Sequence, residues 1–429
     1  MSRAVALDDR DRAMLDGEAG PGAALAMRLV LLAADVLQAD RLIPITRAHV
    51  DSCLYHGQAT LDFAQRLIDG GAQVTVPTTL NVGTLDLLHP ELWRGSPEVA
   101  ERGRRLMDAY RLLGCRPTFT CAPYQLPDAR PVLGEQVAWA ESNAIVFCNS
   151  VLGARTERYG DFTDIACAIT GRVPDAGLHT TDARRAVLVM RPAADVPPDL
   201  LESEVLYPVL GIVLGRRAGS RVAALDGFPR LTEDQLKAIG AAAASSGAVA
   251  MFHVVGSTPE AASLEVALGG GEPNAIVQVG LDELREARDG LTSARGMRPG
   301  DPIGAVSLGT PHASLAELSA IADELGGERV AAGVELLVST ARETQDLAER
   351  QGILTRLRDA GVEILVDTCS YLGPILHPSA LPVMTDSAKW AYYAPGNIGA
   401  TVVFGSRTEC LRTAVSGRLW RDPTLWGAA

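Results

Sequence analysis

Gly22–Gln38, GAALAMRLVLLAADVLQ, followed by the apolar run Leu42-Ile43-Pro44-Ile45, sets the reading of the fold. Leu25, Leu29, Leu32 and Val36 recur at helical spacing and stack on one face, and the short run after them reads as a strand. This helix-then-strand rhythm repeats. Helices are expected near Thr60–Asp69, ahead of a strand at Val74-Thr75-Val76, and near Pro97–Leu113. Further apolar runs at Val187–Val189, Ala248–Val255, Ala275–Val279, Val334–Val338 and Ile364–Val366 are separated by helical patterns at Thr232–Ser245, Ser314–Leu325 and Thr340–Gln351. The pattern predicts an α/β chain with parallel or mixed sheets flanked by helices, whose strand-end loops carry the chemistry. The Gly- and Arg-rich segment Gly215–Pro229 marks a composition shift, which divides the chain into regions 1–225 and 226–429.

At 429 residues, 47% hydrophobic and 21% charged, the chain is large enough for two or three α/β domains. A net charge of -13 and a pI near 5.1 exclude a general binder of nucleic acid or anionic membranes. The N-terminus MSRAVALDDRDRAML has no apolar h-region, and the longest apolar run, Val205–Leu214, is too short to span a bilayer. A soluble, cytoplasmic protein is expected. Its seven cysteines are an odd count for a disulfide framework, leaving buried thiols or metal ligands.

Polar clusters follow the predicted strands: Thr78-Thr79-Leu80-Asn81, Thr118–Tyr124, Phe252–Glu260, Gly309–Ser314, Asp367–Ser370 and Thr385–Lys389. Converging at one sheet end, they would form a polar substrate site. Ala138–Thr156, AWAESNAIVFCNSVLGART, sets Glu141, Ser142, Asn143, Asn149, Ser150, Arg155 and Thr156 into an otherwise apolar helical frame, and buried polar groups need partners. No Cys-x-x-Cys pair exists, so any cluster gathers its ligands from distant loops. Cys121 and Cys369, each after a predicted strand, read as ligands; Cys53, Cys115, Cys167 and Cys410 read as small buried hydrophobes. Lys389, between small polar residues and aromatics, either binds a substrate anion or acts as acid or base, against the alternative of a lysine whose stem covers Trp390. His49, His179, His253 and His312 lack metal-binding spacing; His179 and His312, in loops, are the functional candidates.

The blocks AHVD (48–51), VPTTLNV (76–82), TFTCAPY, WAESNAIVFCNSVLGART, ITGRVPDAGLH, FHVVGSTPEA, LGTPHASL, DTCSYL and MTDSAKWAYY together resemble, in order and over nearly the whole chain, the aconitase X family. The resemblance implies an aconitase-like architecture in which the large part is separate from a swivelling small domain. This chain starts at the large part, so the small domain is expected on a second polypeptide, giving a heterodimer. It further implies a dehydratase of a small hydroxy acid: cis-3-hydroxy-L-proline or, alternatively, mevalonate 5-phosphate. The scarcity of cations in the polar blocks, Arg155, Arg172 and Lys389, tilts the choice toward hydroxyproline.

An iron-sulfur cluster, of 2Fe-2S, 3Fe-4S or 4Fe-4S type, is implied as well, carried onto Cys121, Cys369 and, as a third ligand, Cys148, with Cys53 and Cys167 as fallbacks. The reaction implied is loss of water with iron as Lewis acid and a base that takes the proton. The base is left among Lys389, Glu141 and a serine of the partner. Substrate contacts are expected from Thr78, Thr79, Asn81, Ser142, Asn143, Arg155, Thr156, His179, His312 and Ser387. Two other classes stay open: a non-catalytic binding or assembly subunit, and, ranked last, a hydrolase using Ser150 or Ser387, neither of which lies in a Gly-x-Ser-x-Gly elbow.

Overall fold

The computed structural model describes residues 5–378 and 382–427. The chain forms two compact units. The first holds the residues up to Leu85, with Ser96–Arg185 and Thr258–Glu260; the second holds Asp86–Gly95, Ala186–Ser257 and the residues from Ala261 on.

In the first unit, β1 (Leu42–Pro44) pairs antiparallel with β5 (Arg172–Pro174), and β2 (Ala48–Val50) lies between β3 (Thr78–Leu80) and β4 (Ala138–Trp139) in a parallel sheet. Six helices surround them: α1 (Asp9–Leu15), α2 (Pro21–Val36), α3 (Gln58–Asp69), α4 (Pro97–Leu112), α5 (Ser142–Phe147) and α6 (Thr163–Thr170). Helix α2 forms as expected, but it buries Ala23, Met27, Val30 and Ala34, while Leu32 and Val36 are 63% and 80% exposed. In so apolar a helix several stripes satisfy the helical period, and the small residues are the ones that permit close packing. The strand expected at Val74–Val76 moves on to β3. The amides of Val74 and Thr75 bond instead to the carbonyls of Leu113 and Ala168, and Thr78 takes the place opposite Ala48.

The second unit contains two parallel sheets. One has the order β8-β7-β6-β9, from β6 (Leu188–Pro192), β7 (Ala223–Leu225), β8 (Phe252–Val254) and β9 (Ala275–Val279). The other has the order β12-β11-β10-β13-β14, from β10 (Ala305–Ala313), β11 (Glu335–Thr340), β12 (Val362–Leu365), β13 (Val383–Thr385) and β14 (Val402–Phe404). Helices α7 (Pro198–Leu201), α8 (Leu206–Ala218), α9 (Glu233–Ser246), α10 (Leu264–Ala267) and α11 (Leu281–Gly290) accompany the first sheet in sequence. Helices α12 (Leu315–Leu325), α13 (Arg342–Arg350), α14 (Ile353–Asp359), α15 (Ala388–Ile398) and α16 (Arg407–Ser416) accompany the second. Val306, Leu308, Leu336 and Val338 of the strands pack with Leu318, Ile321, Leu354 and Leu411 of the helices into one core.

The longest stretch of the first unit ends at Arg185, and the second unit continues from Ala186. The Gly- and Arg-rich segment closes α8 and supplies β7, which pairs with β6, so its composition marks a turn inside a sheet. Among the described residues no helix is long and apolar enough to cross a membrane.

Candidate active site

A cavity of about 440 Å³ opens in the second unit at the carboxyl ends of β10, β13 and β14, where ligands of open parallel sheets bind. Thr310 and Pro311 of β10, Asp386, Ser387 and Lys389 after β13, and Arg407 after β14 line it. The ladder between β10 and β11 shifts register between Leu308 and Ala313, which frees the intervening residues from strand pairing. Gly309, at φ +77°, allows the detour.

Four helices begin at this cavity, each by a side-chain cap, α9 among them through the capping box of Thr232 and Gln235. Ser314 and Glu317 form a capping box on α12, Ser406 and Glu409 do so on α16, and Ser387 accepts the Trp390 amide at the start of α15. Ser387 also donates to the Thr310 carbonyl, which ties α15 to β10. The Thr310 hydroxyl is buried in the lining and has no hydrogen-bond partner among the described residues.

Charge in the lining is mixed. Lys237 of α9, 3% exposed, pairs with Glu317 and, at 3.0 Å, with Asp234. Burial alone would depress its ammonium, but Glu317 and Asp234 more than offset this and hold it above its ordinary value. Arg407 pairs with Glu204 and Glu324, each at 2.6 Å. Burial lifts the Asp386 carboxyl to about 7 against the pull of Arg407.

Beside this cavity in sequence lies a donor pair. His312, between cavity-lining Pro311 and Ala313, and Cys369, in the loop after β12, place ligand atoms within 4.8 Å of one another, both in full burial. The His312 Nε2–H donates to the Thr368 carbonyl at 3.1 Å, which leaves the ring lone pair on Nδ1; burial pushes its pKa down to about 4, so the imidazole is neutral at neutral pH. The Cys369 loop is pinned on both sides: Arg342 forms a bidentate pair with Asp367, and Ser370 bonds Ser307 at 2.7 Å and accepts from Trp390 Nε1 at 2.9 Å. A thiol and a neutral, oriented imidazole in a fixed loop suit iron in an iron-sulfur cluster.

In the first unit the carboxyl end of the β3-β2-β4 sheet carries a second polar group. Asn81 donates to Asp51, and its own Oδ1 is buried with no hydrogen-bond partner among the described residues. Burial, reinforced by the charge of Glu141, lifts the Asp51 carboxyl to about 7. Asp164 accepts the amides of Asp51 and Ser52 at 2.7 and 3.0 Å, and burial lifts it to about 6. Glu141, at φ +71°, caps α5 by accepting the Ala144 amide at 2.7 Å and the Ser142 hydroxyl at 3.3 Å. Asn143 donates to the Cys121 carbonyl at 3.1 Å and the Tyr124 hydroxyl at 2.9 Å, with its Oδ1 lacking a hydrogen-bond partner among the described residues.

The expected contact residues are distributed over both units. Ser387 and Lys389 line the cavity, and His312 lies in sequence between its lining residues Pro311 and Ala313. Asn81, Glu141, Ser142 and Asn143 share the carboxyl end of the small sheet, whereas Thr78 opens at its amino end and bonds the Val76 carbonyl, and Thr79 holds His49 at 2.8 Å. Arg155, Thr156 and His179 spend their bonds on structure: Arg155 on the His179 carbonyl and Thr181, Thr156 on the Trp139 backbone, His179 on Tyr159 and Gln136. Ser150 is buried in the π-helical turn Cys148–Leu152. Cys148 packs among Tyr124, Trp139, Phe147 and Leu152 in an apolar core, and burial drives its thiol well up.

Thr310 and Asp386 fall inside the expected polar clusters without being singled out, and Asp51 and Lys237 carry no expected role. Asp51 and Asp386 lie inside the quoted blocks AHVD and MTDSAKWAYY, and their position after a strand was the available signal.

Comparison with known proteins accounts for these shared features. The chain matches the Aconitase X first domain over residues 4–182, the second domain over 187–289 and the third over 303–416. It is 43% identical to a Pseudomonas aeruginosa cis-3-hydroxy-L-proline dehydratase, covering 96% of this chain and 70% of that one. It is 35% identical to a Methanosarcina mazei phosphomevalonate dehydratase large subunit, covering 96% and 98%. The crystal structure of Thermococcus kodakaraensis aconitase X in its holo-form matches with a TM-score of 0.84 at 30% identity, over 96% of this chain and 100% of that chain. By its three matched domains and its relatives, the chain belongs to the aconitase X family.

Proposed function

We propose that this chain is the large subunit of a hydro-lyase that removes water from cis-3-hydroxy-L-proline. The observation that carries this reading is the 43% identity, over nearly the whole chain, to a dehydratase of that compound, against 35% to the phosphomevalonate enzyme. The chain spans 70% of the former and 98% of the latter, a large subunit; a separate small subunit is part of this proposal.

The cluster ligands in this proposal are Cys121 and Cys369, with His312 in the third position in place of Cys148. Iron bound there supplies a Lewis acid for the leaving hydroxyl. Lys389 takes the proton at the carbon beside the substrate carboxylate. The Thr310 hydroxyl and the amino end of α15 hold that carboxylate. Asn81, Ser142 and Asn143 serve as the first unit's polar contacts. Glu141 has a capping duty and Ser150 is fully buried, so neither is preferred to Lys389 for proton transfer.

One feature favours a second reading. Four helix amino ends at the cavity suit a phosphate, as mevalonate 5-phosphate would present. The deciding experiment is anaerobic co-expression with the small subunit, iron and sulfide analysis, and dehydration assays on both compounds side by side. Iron with turnover of hydroxyproline is expected. Turnover of the phosphate ester alone transfers the assignment to that substrate, and an iron-free chain without activity leaves a binding or assembly subunit.

A further inference from the structure

We propose that Asp386 is the residue that recognises a substrate ammonium group, and so selects an amino acid over an acid that lacks nitrogen; this rests on the hydroxyproline reading above. The lining of the cavity contains the carboxylates Glu204, Asp234, Glu317 and Asp386 and the cations Lys237, Lys389 and Arg407. Pairing removes most of them from consideration. Asp234 and Glu317 hold Lys237, and Glu204 shares Arg407 with Glu324. Asp386 alone of the four carboxylates has no ion-pair partner among the described residues, yet it sits where burial penalises its charge.

A partly buried carboxylate in a cavity gains most from a cation that arrives with the ligand. The second independent observation is Thr310, whose unpartnered, buried hydroxyl lines the same cavity and offers one hydrogen bond to a ligand carboxylate. Together they present an acceptor for an ammonium and a donor for a carboxylate, which is the polar pattern of an α-amino acid. Mevalonate 5-phosphate has no cation to offer Asp386 and would bring further negative charge to it.

The test uses two inert rings of equal size, L-proline and cyclopentanecarboxylate, titrated calorimetrically into the anaerobically purified full chain, its Asp386→Asn variant and its Thr310→Val variant. The expected result is that the unaltered chain prefers L-proline by about 10- to 100-fold, that D386N abolishes the preference, and that T310V weakens both ligands alike. KM for cis-3-hydroxy-L-proline should rise by the same factor in D386N with kcat within about threefold of the parent. A D386N protein with parental melting behaviour that keeps its preference for L-proline overturns the inference and leaves the dehydratase reading standing. Preference lost in D386N by a chain that does not dehydrate hydroxyproline sustains the inference and overturns that reading.

Discussion

Gly309 passes Ser339 so closely that a Cβ on it would lie 2.2 Å from the Ser339 carbonyl oxygen. The glycine is also at φ +77°, so an L side chain there would meet backbone strain and a clash that no side-chain rotation relieves. Both effects act on the strand that carries Thr310 and His312. Gly309→Ala should lower unfolding stability by about 2 kcal/mol or more, measured by denaturant titration. A loss below about 0.5 kcal/mol would mean that β10 can relax away from β11 at this point.

Lys237 is a buried cation with two partly exposed carboxylate partners. Lys237→Met leaves Asp234 and Glu317 facing one another without a counter-charge. Because those partners reach solvent, the expected loss lies below the range for a fully buried pair, at about 2 kcal/mol. The double change Lys237→Met with Glu317→Gln should recover part of it, since the uncompensated charge is gone. Equal stability of the single variant and the parent would show the ion pair to be neutral in net effect.

Much of the architecture was legible from periodicity because helices such as Glu233–Ser246 and Leu315–Leu325 carry their own start signals, Thr232 with Gln235 and Ser314 with Glu317. The buried face of α2 was not legible, since both its leucine stripe and its alanine stripe repeat at helical spacing. The site was half legible. Lys389, Ser387, Cys369 and His312 follow strands and stand out by residue type, but spacing cannot say that Arg155, Thr156 and His179 have hydrogen-bond partners within the fold. Nor can it show Asp386 to be the one of four carboxylates without an ion-pair partner among the described residues, because the pairing of Lys237 joins α9 to α12 across 80 residues of sequence.

The Asp386 carboxyl, raised from 3.8 to about 7 by burial against the pull of Arg407, with Glu317 and Glu204 adding like charge, titrates in the working range. Below about 7 it is neutral and cannot pair with an ammonium; above it the carboxylate forms. KM for cis-3-hydroxy-L-proline should therefore fall as pH rises from 6 to 8, and the profile should be flat in D386N. Stability runs the other way: the folded state holds the proton more tightly than the unfolded state, so this group's contribution is present below about pH 4 and is lost as pH rises through about 7. A KM profile unchanged by the substitution would separate the titration from substrate binding.

Lys389, 5% exposed, lines the cavity at the start of α15, where Ser387 and the Thr310 carbonyl fix the helix. If its amine transfers the proton, Lys389→Met should lower kcat by about 100- to 10,000-fold while iron content stays at the parental level. Lys389→Arg should fail to rescue, because a guanidinium does not give up its proton in this range. Rescue by arginine with a raised KM would assign the residue to substrate anchoring.

The third cluster ligand divides between two residues that differ in surroundings. His312 is neutral, oriented by the Thr368 carbonyl and within 4.8 Å of the Cys369 sulfur, whereas Cys148 is enclosed by Tyr124, Trp139, Phe147 and Leu152. Cys148→Ser should keep parental iron and sulfide and lose about 1–3 kcal/mol of stability, the cost of a hydroxyl placed in an apolar cluster. His312→Ala and Cys369→Ser should each lose iron, with the visible absorption of the cluster reduced or absent before any assay of activity. Iron lost from Cys148→Ser but kept by His312→Ala would restore the cysteine to the ligand set, and would require the apolar packing around it to open when the cluster is assembled.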